Sequence, residues 1–423
     1  MEVTIQRLFY ENHRSRNKAL KPTCDAARFG YQGGEAVFQT IDFRTPTVLF
    51  GMDSLNEIGK QAKGLGASRV LLITGPRIAK TGLGDRVVSL LKEEGVDVEV
   101  KIQGRDTPEP ATEVPEEAAR VAQEMKAEAI IGLGGGSILD VSKMAAALLT
   151  NPGKVRDYFG REKLPRRGIP TIMVPTTAGT GAEVTKHAIF LDRETNVKKA
   201  VASNALLPNV AIIDPMLTVT CPPSVTAASG FDAWLHAAEP FVSKRANAIT
   251  DTLALEAIRM ISRWLGPAYA DGEDLEARYY MSLGCLMSGM VLNNSGTSLV
   301  HAMAYPVGGE YHTSHGSTLA ALVLSCFSYI TVAREEKFAL MAEAMGEKID
   351  GLSRREAAGK ALDAIRHFLE GVNLPTSLPE LGITDKSSVP QWAVDAHAEQ
   401  RLLSRAVRKL SVDDLRLIYE NAF

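Results

Sequence analysis

Asp232 and His236 lie four residues apart in Gly230-Phe231-Asp232-Ala233-Trp234-Leu235-His236-Ala237-Ala238-Glu239. On a helix that spacing stacks both side chains on one face, about one turn apart. A carboxylate and an imidazole on an apolar helix face can begin a divalent-metal site. Taken alone, the pair equally fits a surface hydrogen bond or a satisfied core histidine. A second stretch runs from His301 to Gly316 and holds His301, His312 and His315, three of the eight histidines of the chain. Gly308-Gly309 between them lets the chain fold back, so that His301 and His315 can face one point. For His312 three roles stay open: ligand, support for a ligand, or substrate contact.

A different chemistry belongs to Gly134-Gly135-Gly136-Ser137-Ile138-Leu139-Asp140, directly after the apolar run Ala129–Leu133. Adjacent glycines let backbone approach a ligand closely, and the N–H groups that open the following helix point at an anion. A pyrophosphate is the natural guest. Asp140 falls in the first helical turn, where the dipole favours a carboxylate. A plain strand-to-helix turn would need fewer glycines. The loop Pro175-Thr176-Thr177-Ala178-Gly179-Thr180-Gly181 follows another apolar strand. The hydroxyls of Thr176, Thr177 and Thr180 can line the same cofactor; the alternative is a surface loop. The usual dinucleotide fingerprint is absent, because the first buried strand ends in Gly75-Pro76-Arg77.

The elements that must position these residues change character part-way along the chain. Short apolar strands are expected at 45–51, 69–75, 96–102, 129–133, 171–174 and from Ala211, alternating with amphipathic helices. That alternation indicates a parallel, doubly wound sheet. In Val96–Ile102 the valines alternate with polar residues, so one face should be wet. Ser54 is the expected cap of the first helix, and Ser224 that of the helix carrying Asp232. After Pro222-Pro223 strand signals fade and amphipathic helices follow, with Met281, Met287 and Met290 read as core. The expectation is an α/β dinucleotide-binding domain over 1–215 and an all-helical metal and substrate domain over 216–423. Within the first, 1–44 is an N-terminal extension with a short strand or hairpin near 31–43.

The net charge of −3 excludes a broad basic field for nucleic acid or an anionic membrane. No run of about 18 apolar residues suggests a transmembrane helix. The N-terminal stretch lacks an apolar core and so does not read as a secretory signal, and Glu2 and Glu11 argue against a transit peptide. Cys24, Cys221, Cys285 and Cys326 are scattered with no CxxC pair, which suits a reduced, cytoplasmic protein rather than a disulfide framework.

Together these motifs resemble the iron-containing (group III) alcohol dehydrogenase family, over roughly residues 45–420. The residues that carry the resemblance are Gly134-Gly135-Gly136-Ser137 with Asp140, Pro175 to Gly181, Asp232 with His236, and His301 with His315-Gly316. It implies a dehydroquinate-synthase-like fold, NAD(P) in the cleft between an α/β and an all-α domain, a homodimer, and Asp232, His236, His301 and His315 as ligands of one divalent metal. That metal is commonly iron in the family, and sometimes zinc. One carboxylate and three neutral imidazoles suit either ion and can leave a position for substrate, whose oxygen the ion would polarise. The implied activity is hydride transfer between nicotinamide and a small alcohol or aldehyde. Close alternatives are a hydroxyacid–oxoacid transhydrogenase and polyol dehydrogenases; a non-catalytic nucleotide and metal sensor is the alternative of a different class.

Two departures stand out. Tyr305 occupies the place of a further family histidine linked to proton transfer, which leaves Tyr305, His312 or solvent to take that part. Ser317-Thr318-Leu319-Ala320 lacks the family's usual asparagine. Gly75, with Arg77 and Lys80 nearby, stands where NAD-preferring members often carry an acidic residue, so use of NADP is expected. His187, Lys198 and Lys199 could attract an anionic group on the substrate, although solvated surface is the plainer reading of the lysines.

Overall fold

The strand Ala129–Gly134 (β4) is buried at every position, and so is Thr171–Pro175 (β6). Such continuously apolar segments form the middle of a sheet covered on both faces. The computed structural model describes residues 40–104, 110–194 and 197–423. In it β4 and β6 join Thr47–Phe50 (β1), Arg69–Thr74 (β2), Asp97–Ile102 (β3) and Val210–Ile213 (β9) in a six-stranded sheet of order β1-β9-β6-β4-β2-β3. Every pairing in it is parallel. Gly134 at the end of β4 stands in register with Pro175 at the end of β6. The glycine loop and the threonine loop therefore leave the sheet side by side at its carboxyl edge, where open α/β sheets hold their ligands.

Helices Ile58–Gly64 (α1), Leu83–Glu93 (α2), Glu113–Glu124 (α3) and Gly136–Leu148 (α4) cover the sheet. Several local expectations are corrected. Ser54 does not cap α1: its hydroxyl donates to the Ile213 carbonyl, and a 3-10 turn intervenes. β3 lacks a clean wet face. It is an edge strand on which Val100 and Ile102 are exposed, while Lys101 is drawn inward by Glu117 at 2.7 Å. The reading of 31–43 lies almost wholly outside the described residues, and 40–43 form no strand.

A second, three-stranded sheet was not anticipated. Gly160–Arg161 (β5) pairs with Val197–Ala202 (β8), which pairs antiparallel with His187–Asp192 (β7). Ala188, Phe190 and Asp192 alternate inward along β7, the period-two pattern of a half-buried strand.

From Pro223 onward the described chain is helical: Pro223–Val242 (α5), Ala248–Ala270 (α6), Leu275–Ser295 (α7), Leu299–Tyr311 (α8), His315–Thr331 (α9), Glu335–Ala344 (α10), Arg354–Glu370 (α11), Val389–Ala398 (α12) and Val412–Glu420 (α13). α5 is central and buried along nearly its whole length. Phe231, Trp234 and Phe241 on it are fully buried, with Phe231 and Trp234 stacked at 5.7 Å. Each contributes roughly 1.5–3 kcal/mol of burial, which fixes the helix rigidly. Ser224 does not cap α5; the helix opens one residue earlier, after Pro222, and Pro223 is pre-set for the first helical position. Met281 is buried, and Met287 and Met290 pack against buried neighbours, as expected of core methionines. Asp42–Phe423 packs as one compact unit.

Candidate metal centre and nucleotide loops

Asp232 and His236 sit on successive turns of α5, nine-tenths or more buried. His301 lies in the first turn of α8 and His315 is the first residue of α9. Their Nε2 atoms converge on one oxygen. Asp232 Oδ1 is 3.2 Å from His236, 3.6 Å from His301 and 3.8 Å from His315. A tetrahedral ion with bonds of about 2.0–2.1 Å holds its donor atoms about 3.4 Å apart. Asp232 Oδ1 and His301 Nε2 are buried without a hydrogen-bond partner, a costly state that an ion would relieve. The donor set and its spacing thus fit a divalent cation. The tightest group is Asp232, His236 and His301; His315 closes the fourth side and is about a third exposed.

The orientation of His301 comes from a residue with no assigned role in the sequence. Glu239, buried on α5, accepts from His301 Nδ1 at 2.7 Å, and its carboxylate also accepts from the backbone N–H groups of Ser298 (3.0 Å) and Val300 (2.6 Å). It therefore caps α8 and fixes the tautomer that aims Nε2 at Asp232. Its spacing offered the signal: Glu239 follows His236 by three residues, on the same helix face. Gly316 sets the position of His315. A Cβ at Gly316 would come within 2.1 Å of the Ala228 carbonyl oxygen, so the start of α9 rests directly on the α5 backbone.

Burial alone would raise the Asp232 carboxyl, but the surrounding imidazoles, His236 foremost, hold it below the usual carboxylate range. Burial lowers His236 and His315. For His301 burial acts downward and is outweighed by the Asp232 and Glu239 carboxylates, which lift it to about 9. Metal binding needs the neutral imidazole, so an ion at the centre draws His301 down against the pull of those carboxylates.

Tyr305 lies on α8 with its ring 6.4 Å from that of His315. Burial pushes its hydroxyl up, and the Arg401 guanidinium beside it pulls the other way. His312 is not brought into the cluster. It is exposed at the C-cap of α8 in the left-handed conformation (φ 52°), where it ends the helix.

The two loops at the sheet edge do meet. A Cβ at Gly136 would fall 2.6 Å from Thr180 Oγ1, and one at Gly135 would lie 3.6 Å from Thr177. Thr176 N donates to the Gly134 carbonyl at 3.0 Å. Thr180 is exposed and Thr177 half-buried, both open to a ligand, whereas the buried Thr176 ties the loops together. Gly135 caps α4, and Gly136 and Ser137 open it. Gly75 follows the end of β2, and a Cβ there would meet only Ile138 within 4 Å. Space therefore remains beside it, and Arg77 and Lys80 are exposed.

Asp140 departs from its expected place against the cofactor. Its carboxylate lies 2.9 Å from the Lys143 ammonium and accepts from Ile189 N at 3.0 Å. The fully buried Lys143 in turn donates to the carbonyls of Ala182, Thr185 and His187. The pair is a brace between α4 and the small sheet. Lys199 is likewise committed, to Asp192 at 2.7 Å.

Residues 45–215 match the profile described as iron-containing alcohol dehydrogenase, and residues 226–423 match the C-terminal profile of the same family. The chain belongs to the iron-containing alcohol dehydrogenase family. Among its relatives, Long-chain-alcohol dehydrogenase 1 of Geobacillus thermodenitrificans is 41% identical over 376 residues, 88% of this chain and 94% of that protein. The NAD-dependent methanol dehydrogenase of Bacillus methanolicus is 33% identical, over 90% of this chain and 99% of its own length. A solved 1,3-propanediol oxidoreductase superposes with a TM-score of 0.87 at 35% identity, covering 91% of this chain and all of that one. As a member of this family the protein is an oxidoreductase acting on CH–OH groups. Among the described residues no helix is long and apolar enough to cross a membrane.

Proposed function

We propose that Asp232, His236, His301 and His315 hold one divalent ion, iron foremost and zinc next, and that this iron-containing alcohol dehydrogenase interconverts a small alcohol and its aldehyde with a nicotinamide dinucleotide. The convergence of three Nε2 atoms on the unpartnered Asp232 Oδ1 carries this reading. The ion supplies Lewis acidity toward the substrate oxygen, and the nicotinamide supplies the hydride acceptor or donor. The remaining chemistry is the chain's own. Gly134, Gly135 and Gly136 admit the pyrophosphate to the start of α4, where the N–H groups that open the helix and its dipole favour an anion. Ser137, Thr177 and Thr180 border that path. Glu239 keeps His301 turned inward. Tyr305, whose hydroxyl stays protonated beside Arg401, hands a proton along by hydrogen bonding rather than acting as a base. The division of labour follows the chain, with 1–215 holding the nucleotide and 216–423 the ion.

His301→Ala is expected to lose bound metal and at least 100-fold in turnover while still binding the nucleotide, as read by metal analysis and nucleotide fluorescence titration. Unchanged turnover would remove His301 from the ligand set. At the nucleotide end, the open space beside Gly75 leaves room for a 2′-phosphate, with the exposed Arg77 and Lys80 nearby. NADP is therefore expected to support turnover beside NAD. An enzyme that reduces NAD efficiently and ignores NADP contradicts this.

A further inference from the structure

A small open cleft lies between β5, the start of β7, the end of α7 and the C-terminal helices, with none of the proposed metal ligands in its wall. Its walls gather Arg161 at β5, Lys186 just before β7, Arg245 after α5, and Arg401 and Arg405 near the C-terminal end. Five cations from four separate segments thus face one space, with Glu162 as the carboxylate among the lining residues. The oxygens of Glu162 are already engaged by Ser203 Oγ and Asn204 N. None of the five cations forms an ion pair among the described residues. His187, also in the wall, is lowered first by burial and then by Arg401, so it adds no charge.

This arrangement is unfavourable in an empty cleft. Arg405 is buried and drawn down to about 10, by burial first and then by Arg401, Arg245 and Arg161. Lys186 is lowered too, by burial and then by Arg161 and Arg245, against the pull of Glu162. The whole chain carries a net charge of −3, so the concentration of positive charge here is not an average property of the molecule. Arg405 is the buried member, Lys186 and Arg401 are half-buried, and Arg161 and Arg245 stand exposed at the rim. Like charges gathered in this way repel, and a ligand of opposite sign completes the set.

Two of these cations lead toward the reacting end. The Arg405 guanidinium donates to the Thr297 carbonyl at 2.8 Å and packs on Gly296. The next residue, Ser298, donates to Glu239, the carboxylate that orients His301. Arg401 flanks the Tyr305 hydroxyl. Arg405 and Arg401 thus connect the cleft to residues that adjoin the proposed ligands.

We propose that the physiological substrate carries an anionic oxyacid group (carboxylate, sulfonate or phosphonate) at the end opposite its reacting carbon, and that this cleft holds it. The proposal rests on the dehydrogenase reading above and names the substrate class of that site.

The test compares neutral and anionic aldehydes of equal carbon count in the full chain, loaded with metal and nucleotide: butanal against succinate semialdehyde, and acetaldehyde against sulfoacetaldehyde and phosphonoacetaldehyde. At least one anionic member should exceed its neutral partner in kcat/KM by tenfold or more. In Arg161→Met/Arg245→Met that ratio should fall at least tenfold, mainly through KM, and the three headgroups distinguish which oxyacid fits. As a readout besides substrate preference, sulfate and methylphosphonate should inhibit neutral-aldehyde reduction competitively, and their calorimetric affinity should fall in the same variant. Neutral aldehydes reduced without anionic preference would overturn the proposal and leave the dehydrogenase reading standing. Inhibition not competitive with aldehyde would also overturn it, because the anion would then occupy a separate site. No turnover of any aldehyde by the metal-loaded enzyme would overturn both.

Discussion

Glu239 illustrates how little of a metal centre is its ligands. One buried carboxylate accepts three N–H groups and so joins the start of α8 to α5. A glutamine of the same size offers one oxygen acceptor in place of two and no negative charge. Glu239→Gln is therefore expected to weaken metal affinity about 10–100-fold, as support residues of ligand histidines do. Competition with a chromogenic chelator measures it; an unchanged metal affinity would show that His301 needs no such partner. Because Ser298 N and Val300 N donate to different oxygens of Glu239, the glutamine leaves one of them without its acceptor, so circular dichroism of the same variant separates a lost fold from a weakened ion site.

Among the elements, the two loops at the carboxyl edge depend on each other. Any side chain at Gly136 must displace Thr180, which stands 2.6 Å from the position of its Cβ. Gly136→Val should raise the KM for the nucleotide at least tenfold while the metal content stays at the wild-type level; an unaltered nucleotide KM would place the cofactor elsewhere. The strands and the glycine loop were legible in the sequence because continuous apolar runs and adjacent glycines are local signals. The pairing of Asp232 with His236 was legible for the same reason, at helical spacing. What brings His301 and His315 to them is not local: it depends on Gly316 resting on Ala228 and on Glu239 capping a helix 60 residues further on. Asp140 was misplaced because its charge suited a helix start, while the buried Lys143 three residues later had a stronger claim on it. The small sheet is not legible in the sequence although β7 alternates cleanly, because β8 is rich in lysine and alanine and lacks a matching pattern. Five cations scattered between positions 161 and 405 carry no periodicity at all, so their cleft exists only in the folded chain.

For the molecule as a whole, stability against pH should bear the mark of Glu183. This residue is buried at the end of the threonine loop, and burial raises its carboxyl from 4.5 to about 7, with Lys143 opposing. Folding thus favours its protonated form. That contribution is complete below the unfolded value of 4.5 and is lost as pH rises through about 7, to an extent of order 3 kcal/mol. Glu183→Gln, neutral at every pH, should raise the melting temperature at pH 8 and leave it nearly unchanged at pH 4.5. Equal shifts at both values would mean that Glu183 does not titrate in the folded protein.

The link from α5 through Glu239 to α8, with the proposed ligands on either side of it, has a consequence for how long the protein lasts. An ion shared by His236 and His301 would act as a reversible cross-link closing a loop of about 65 residues. The folded fraction would then rise with the free metal concentration around it. In a metal-poor setting the chain would open more often and be cleared sooner by proteases. Metal supply would set how much of the protein persists, before it sets how fast each copy works.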